Sequence, residues 1–268
     1  MQSARLKNII ILILALLNLF LLGSLFSRQT ARLDSRCQTV TQLAALFEAN
    51  NIALPEDAVP FDPPPASITL NRDVEQERQM AAFLLGKGMS HSSQSGVIYS
   101  YESSAGAAVF SSGGAFDAAI LLQEDTNVER LCRKFCSQFQ YDDLTISEGD
   151  AFSATAVRSF DGCPVSNCTV SFSVQGSVLT VSGMFLPSVS GSTASASGEL
   201  LSAVSALTMF LNTHLESGAV VSQITSVTAC YQAQSTSAST TTLIPTWRVN
   251  TDFGTYYVNC ETGTVTRK

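Results

Sequence analysis

Charged side chains are scarce in this 268-residue chain, at 14% of the sequence against about 25% in an ordinary globular protein. Basic ones are scarcer than acidic ones, 15 Lys and Arg against 22 Asp and Glu, for a net charge of −7. No basic cluster appears, so a nucleic-acid partner is excluded, because phosphate binding runs on Lys and Arg. Histidine is nearly absent. His91 and His214 are the two in the chain, which removes most His-based metal sites and nucleophile triads. Ser90 precedes His91, but the second glycine of a nucleophile elbow is missing, and the pair reads as polar surface. There is no Gly-rich phosphate loop. Asp142 and Asp143 are neighbours in a polar segment, not partners across a cleft, so they make no acid/base pair. The residues therefore point to no catalytic, cofactor-binding or metal-binding set, and the expectation is a protein that is not an enzyme and needs no cofactor.

What the chain has instead is one apolar end. Ile9 to Phe26 is an uncharged run of 18 residues, the lower edge of a transmembrane helix. A cleaved signal peptide would have a shorter apolar region and a small-x-small site, whereas Leu25 and Phe26 close this one. Arg5 and Lys7 favour the N-terminus inside. The expected localisation is the cell membrane, single-pass, with the bulk of the chain extracytoplasmic. Asn18 lies in the middle of the span. It can bond its own backbone or serve as a contact to another transmembrane helix.

Beyond the span, apolar spacing continues a helix from Arg28 through Leu43 and Phe47 to Asn50. Five of the eight prolines then fall between Pro55 and Pro65, a stiff connector. Ser67–Asn71 alternates as a strand. Asp73 is placed to cap a helix to Leu85, Val97 to Leu122 reads as a three-stranded meander, and Asn127–Phe139 as a helix. The acidic stretch 142–150 reads as a boundary. Strands follow at Ala151–Ser159, Thr169–Val174 and Val178–Phe185, then a Ser/Thr/Ala/Gly loop and a helix over Leu200–Leu211. The last strands are Gln223–Tyr231, Thr246–Val249, Tyr256–Cys260 and Thr264–Thr266, with Ser235–Thr242 as a second loop. The pattern is α+β: a tail and anchor over 1–27, and two extracytoplasmic subdomains over 28–145 and 146–268. Each subdomain is expected to be an antiparallel sheet packed with one or two helices.

Several stretches, in order, carry a resemblance. Arg5-Leu6-Lys7 leads into Leu17-Asn18-Leu19-Phe20-Leu21. Phe160-Asp161-Gly162-Cys163-Pro164-Val165 is followed by Val170-Ser171-Phe172. The helix over Ser202–Leu211 and the strand Ile224–Tyr231 precede Pro245-Thr246-Trp247-Arg248-Val249, then Tyr256–Asn259 and Thr262-Gly263. This order resembles the YycI/YycH-type regulatory proteins of Gram-positive bacteria, and its last part is similar to PepSY-type modules. The resemblance implies a membrane-anchored, extracytoplasmic, non-enzymatic protein. It would tune the sensor histidine kinase of a two-component system controlling the cell wall, in company with a YycH-like sister protein in the membrane. The alternative is an extracytoplasmic PepSY-like binding or inhibitory module that senses a ligand or restrains a protease.

Against that family, Cys230 and Cys260 replace other small residues at two strand ends, which makes them one candidate disulfide. Cys163 and Cys168 flank a short segment and are a second. Seven cysteines leave at least one free, and Cys37 is the first choice. Cys132 and Cys136 share the apolar stripe of their helix and read as core thiols. Pro245 is expected to start a strand that sends Trp247 and Val249 to one face and Arg248 to the other. Trp247 then either packs into a core or lines a ligand groove with Arg248.

Overall fold

A computed structural model describes residues 37–147, 149, 151–188, 193–195, 200–217, 220–237 and 239–268. The apolar span, Asn18 and much of the loop after Ser188 lie outside these residues. Among the described residues no helix is long and apolar enough to cross a membrane.

Among the described residues, four α-helices and fourteen strands form a mixed α+β structure. Helix α1 covers 37–49. The first half of the remainder runs β1 (Ser67–Asn71), α2 (Val74–Leu85), β2 (Ser90–Gln94), β3 (Ile98–Ser103), β4 (Gly106–Phe110), β5 (Ala115–Leu121) and α3 (Val128–Phe139). Then come β6 (Tyr141–Ser147), β7 (Ser153–Phe160), β8 (Cys163–Gln175), β9 (Val178–Met184) and β10 (Thr193–Ser195). The chain ends with α4 (Ala203–Ser217), β11 (Ile224–Ser237), β12 (Thr240–Thr251), β13 (Gly254–Asn259) and β14 (Val265–Arg267).

The strands form one continuous sheet rather than two, in the order β10-β1-β12-β11-β8-β9-β5-β4-β3-β2. Strands β13 and β14 branch from β12, and β7 and β6 from β8. Ladders are antiparallel except where β8 meets β11, with Val165 opposite Tyr231. Two long strands make this possible by changing partners along their length. Residues 240–243 of β12 face β1 and residues 246–251 face β13. Pro245, expected at a strand start, sits in mid-strand at this change of partner. No ladder on that side needs the N–H it lacks.

The cores do not follow the expected boundary at 145/146. One core joins α2, β3–β5 and α3 to β7, β8 and β9, from Met80 and Phe110 through Phe135 to Phe172 and Val181. The other joins Val40, Leu43, Phe47 and Ile52 to Phe210, Trp247 and Val258. The chain's two described ends therefore share one core, and the stretch between Arg72 and Leu186 is inserted into it. Residues 142–147 of the acidic stretch read as a boundary lie in β6, paired with β7 alone. An edge strand with charges facing water is ordinary, and its polarity hid its strand character. Likewise the low-complexity segment 235–242 is no separate loop: β11 and β12 run through it as a hairpin, and β12 pairs there with β1.

Arg72 holds the junction between the two cores. Its guanidinium forks onto Glu77, Nε to Oε1 at 2.7 Å and Nη2 to Oε2 at 3.0 Å. Its Nη1 also donates to Val97 O at 2.6 Å, and its backbone N–H donates to Ser239 O. One residue thus ties α2 and the meander, through its side chain, to the tip of the β11–β12 hairpin, through its backbone. The next residue, Asp73, caps α2 by accepting from the N–H groups of Glu75 and Gln76. Glu77 is 1% exposed, and burial raises its carboxyl pKa despite the opposing pull of Arg72. Gly114 completes the contact. Its φ is +87°, and a Cβ there would lie 2.3 Å from the carbonyl oxygen of Phe185.

A buried pair is costly to break but not to replace. Arg72→Met alone should cost about 3–5 kcal/mol by leaving Glu77 buried without a partner. Arg72→Met/Glu77→Leu should lose less than either single change in denaturant unfolding. A double-mutant loss equal to the sum of the singles would mean that the two side chains act independently.

Candidate functional site: the seat of the N-terminal helix

The segment that leads in from the apolar end is α1. Val40, Leu43 and Phe47 fall at helical spacing on one face and are 2%, 5% and 0% exposed. Phe47 stacks on Phe210 of α4, ring centroids 6.4 Å apart and planes 3° from parallel. Phe210 meets Tyr256 of β13 edge-on at 5.0 Å. After α1 the chain turns at Asn51, whose φ is +61°. Ala53 and Gln223 then form a parallel bridge, with Ala53 donating to Ser222 O and Ile224 donating to Ala53 O. Helix, aromatic stack and bridge fix α1 to the C-terminal sheet on both sides of its last turn.

Trp247 belongs to this seat. It is 1% exposed and packs in the core with Val249, and its indole N–H donates to Leu201 O at 2.9 Å. A buried tryptophan with a satisfied N–H positions the entry to α4; it does not line a groove. Arg248 points to the opposite face of β12, where its Nε donates to Thr228 Oγ1 at 3.1 Å. The strand's alternation separates the two residues that the groove reading placed together.

The expected disulfides do not form: Cys163, Cys168, Cys230 and Cys260 are all free thiols. Cys163 and Cys168 lie on one extended strand, β8. Five residues of strand span roughly 16 Å, beyond the ~7 Å Cα separation that a disulfide tolerates. Cys230 and Cys260 flank β12 from opposite sides. Cys230 is opposite Thr246, and the Cys260 N–H donates to Pro245 O. Two strand spacings separate them, about 9.6 Å, which is again too far. Burial pushes the Cys230, Cys260 and Cys168 thiols up to about 12, and Cys163 up to about 11. Cys132 and Cys136 are buried against the first core, and burial raises them to about 12 and about 11. These sulfurs act as small apolar groups rather than nucleophiles. Among the described residues no cluster of His, Cys, Asp and Glu could hold a metal ion.

Three residues that matter most were not singled out from sequence: Arg72, Glu77 and Arg158. A signal for Arg158 existed. It occupies an inward position of β7, between Ala154, Ala156 and Phe160, all buried. A charge in such a series marks a designed exception. No signal of that kind marked Arg72, whose partners beyond Glu77 lie in three distant segments, at Val97, Phe110 and Ser239.

No protein-family model matches the chain, and no curated protein matches it. Among solved structures, it is similar to an uncharacterized protein from Eubacterium rectale, at 12% identity and a TM-score of 0.44, covering 77% of this chain and 86% of that one. It is also similar to the Bacillus megaterium YpeB C-terminal domain, at 14% identity and a TM-score of 0.35, covering 74% of this chain and 98% of that one. Likenesses at these TM-scores carry no weight for fold or function.

The thiol environments have a direct readout. In the native protein near neutral pH, a maleimide should label exposed Cys37 quickly and the other six thiols only after denaturant is added. Peptide mapping distinguishes them, and a linked Cys230–Cys260 peptide would contradict the strand arrangement.

Proposed function

We propose that this chain is a single-pass membrane protein, N-terminus inside, and a non-enzymatic extracytoplasmic regulator. In this reading it tunes a sensor histidine kinase of a cell-wall-controlling two-component system, as the YycI/YycH-type resemblance implies. It does so through contacts between transmembrane helices and with a YycH-like sister protein. The observation that supports the reading is the seat of α1. The helix nearest the apolar run is not a loose stalk, because its buried face is part of the second core. A rotation or tilt of that core would move α1 with it.

Energetically the demand is small. A coupling of about 1–3 kcal/mol between two sites changes an affinity or active fraction several-fold. Asn18 is the proposed membrane contact. An interhelical hydrogen bond of this kind contributes about 0.6–2 kcal/mol, which is commensurate with such coupling.

Asn18→Leu should weaken co-purification of the full chain with its kinase or sister protein and shift transcription of cell-wall genes. Thermal unfolding of the outer domains should stay unchanged. A fragment beginning at Cys37, lacking the span, should regulate poorly. If that fragment regulates as well as the full chain and Asn18→Leu is silent, the PepSY-like module that senses a ligand or restrains a protease replaces this reading.

A further inference from the structure

Helix α2, the C-terminal end of α3 and the segment after β9 enclose a cleft of about 380 Å³, within the size range of small-molecule sites. Arg158 lines it and is 2% exposed. Every acceptor its guanidinium meets is neutral. Nη1 bonds Gln140 O and Gln140 Oε1 at 2.9 Å and Ser159 O at 3.1 Å, and Nη2 bonds Leu186 O at 3.2 Å. Part of this is structural, since Gln140 ends α3 in the left-handed region and a cation suits a helix C-terminus. The Arg158 Nε–H is nevertheless buried with no acceptor, which is unfavourable unless something meets it.

The other lining groups narrow what that could be. The Asp73 carboxylate is engaged by the first N–H groups of α2 and by Gln76 Nε2. Gln76 Oε1 in turn accepts from the backbone and hydroxyl of Ser188. Glu75, Gln79 and Gln138 stand exposed around the cleft, and Phe139 adds a half-buried ring. An anion would meet Asp73 and Glu75 before Arg158. An apolar peptide side chain would find no open pocket, because Phe185 and Leu186 are already 5% and 1% exposed. A sugar suits this lining. Each hydroxyl both donates and accepts, each glutamine amide presents a donor beside an acceptor, and the C–H face of a sugar ring can cover Phe139.

We propose that this cleft binds a short neutral saccharide, with Gln79, Gln138 and Glu75 holding its hydroxyls and a ligand oxygen completing the shell of Arg158. The proposal is independent of the kinase reading. The probes are cellotriose, maltotriose and chitotriose, with trialanine as the peptide control. Each is added to the full chain in a sugar-free detergent and followed by saturation-transfer NMR and titration. At least one trisaccharide should receive transfer. Its affinity should fall tenfold or more in Gln79→Ala/Gln138→Ala, with the melting temperature unchanged. Glu75→Ala, also on the exposed rim, serves if the double variant unfolds early. No transfer to any of the three sugars, binding undiminished in these variants, or variant-sensitive binding of trialanine instead would overturn the assignment.

Discussion

The burial of Phe47 against Phe210 is the contact on which the architecture depends. It brings residues near the start of the described chain onto a sheet made by its last third. That closure requires the intervening chain to leave and return at neighbouring points. It leaves at Arg72, one residue beyond β1, and returns after β9, and both points adjoin the β11–β12 hairpin. The inserted stretch has a core of its own, but its edge continues the same sheet through the parallel meeting of β8 and β11. A third buried cluster, with Leu70, Phe160, Tyr231 and Leu243, fills the space between. Removing a large aromatic from such a site costs about 3–5 kcal/mol, a large share of the stability of any single domain.

Polar groups give this closure its specificity. Apolar faces can slide, whereas Arg72 reaches Glu77 and the carbonyls of Val97 and Phe110 in one arrangement. Tyr99 covers the guanidinium, with Cζ 5.0 Å from the ring centroid. Tyr231 adds a bond from its hydroxyl to Ala66 O at 3.0 Å. Arg158 plays the corresponding role inside the inserted stretch, joining the end of α3 to the segment after β9. Both arginines link elements that are far apart in sequence; Arg158 stands out locally as a charge in the buried series of β7, but local reading names the distant partners of neither.

Local elements were legible because local rules fixed them. Asp73 and Asn127 cap their helices as their positions require, and the 3.6-residue spacing of Leu131, Phe135 and Phe139 marks α3. The strand alternation at Ala115–Leu121 is unbroken, buried and exposed in turn. Strand β2 was missed because all five of its residues, Ser90 to Gln94, are exposed polar groups, and an edge strand need show no alternation. The grouping of elements into cores was not legible, since nothing local distinguishes a chain that proceeds from one domain to the next from one that doubles back. The cysteine pairings failed for a similar reason. Closeness in sequence, or at two strand ends, says nothing of how many strands lie between. For Trp247 and Arg248 the period-two alternation was enough to send the two to opposite faces. Which of those faces is covered depends on α4, a tertiary fact.

The regulatory reading rests on α1 being part of the second core and not an appendage to it. Native-state hydrogen exchange on the full chain tests that directly. If the helix and sheet unfold together, the amides of 43–49 should show the same opening free energy as the central strand β12, and Phe47→Ala should lower both by the same amount. Exchange of α1 as a separate, weakly protected unit, with β12 still at global protection, would contradict it and leave the apolar end uncoupled from the domains beyond.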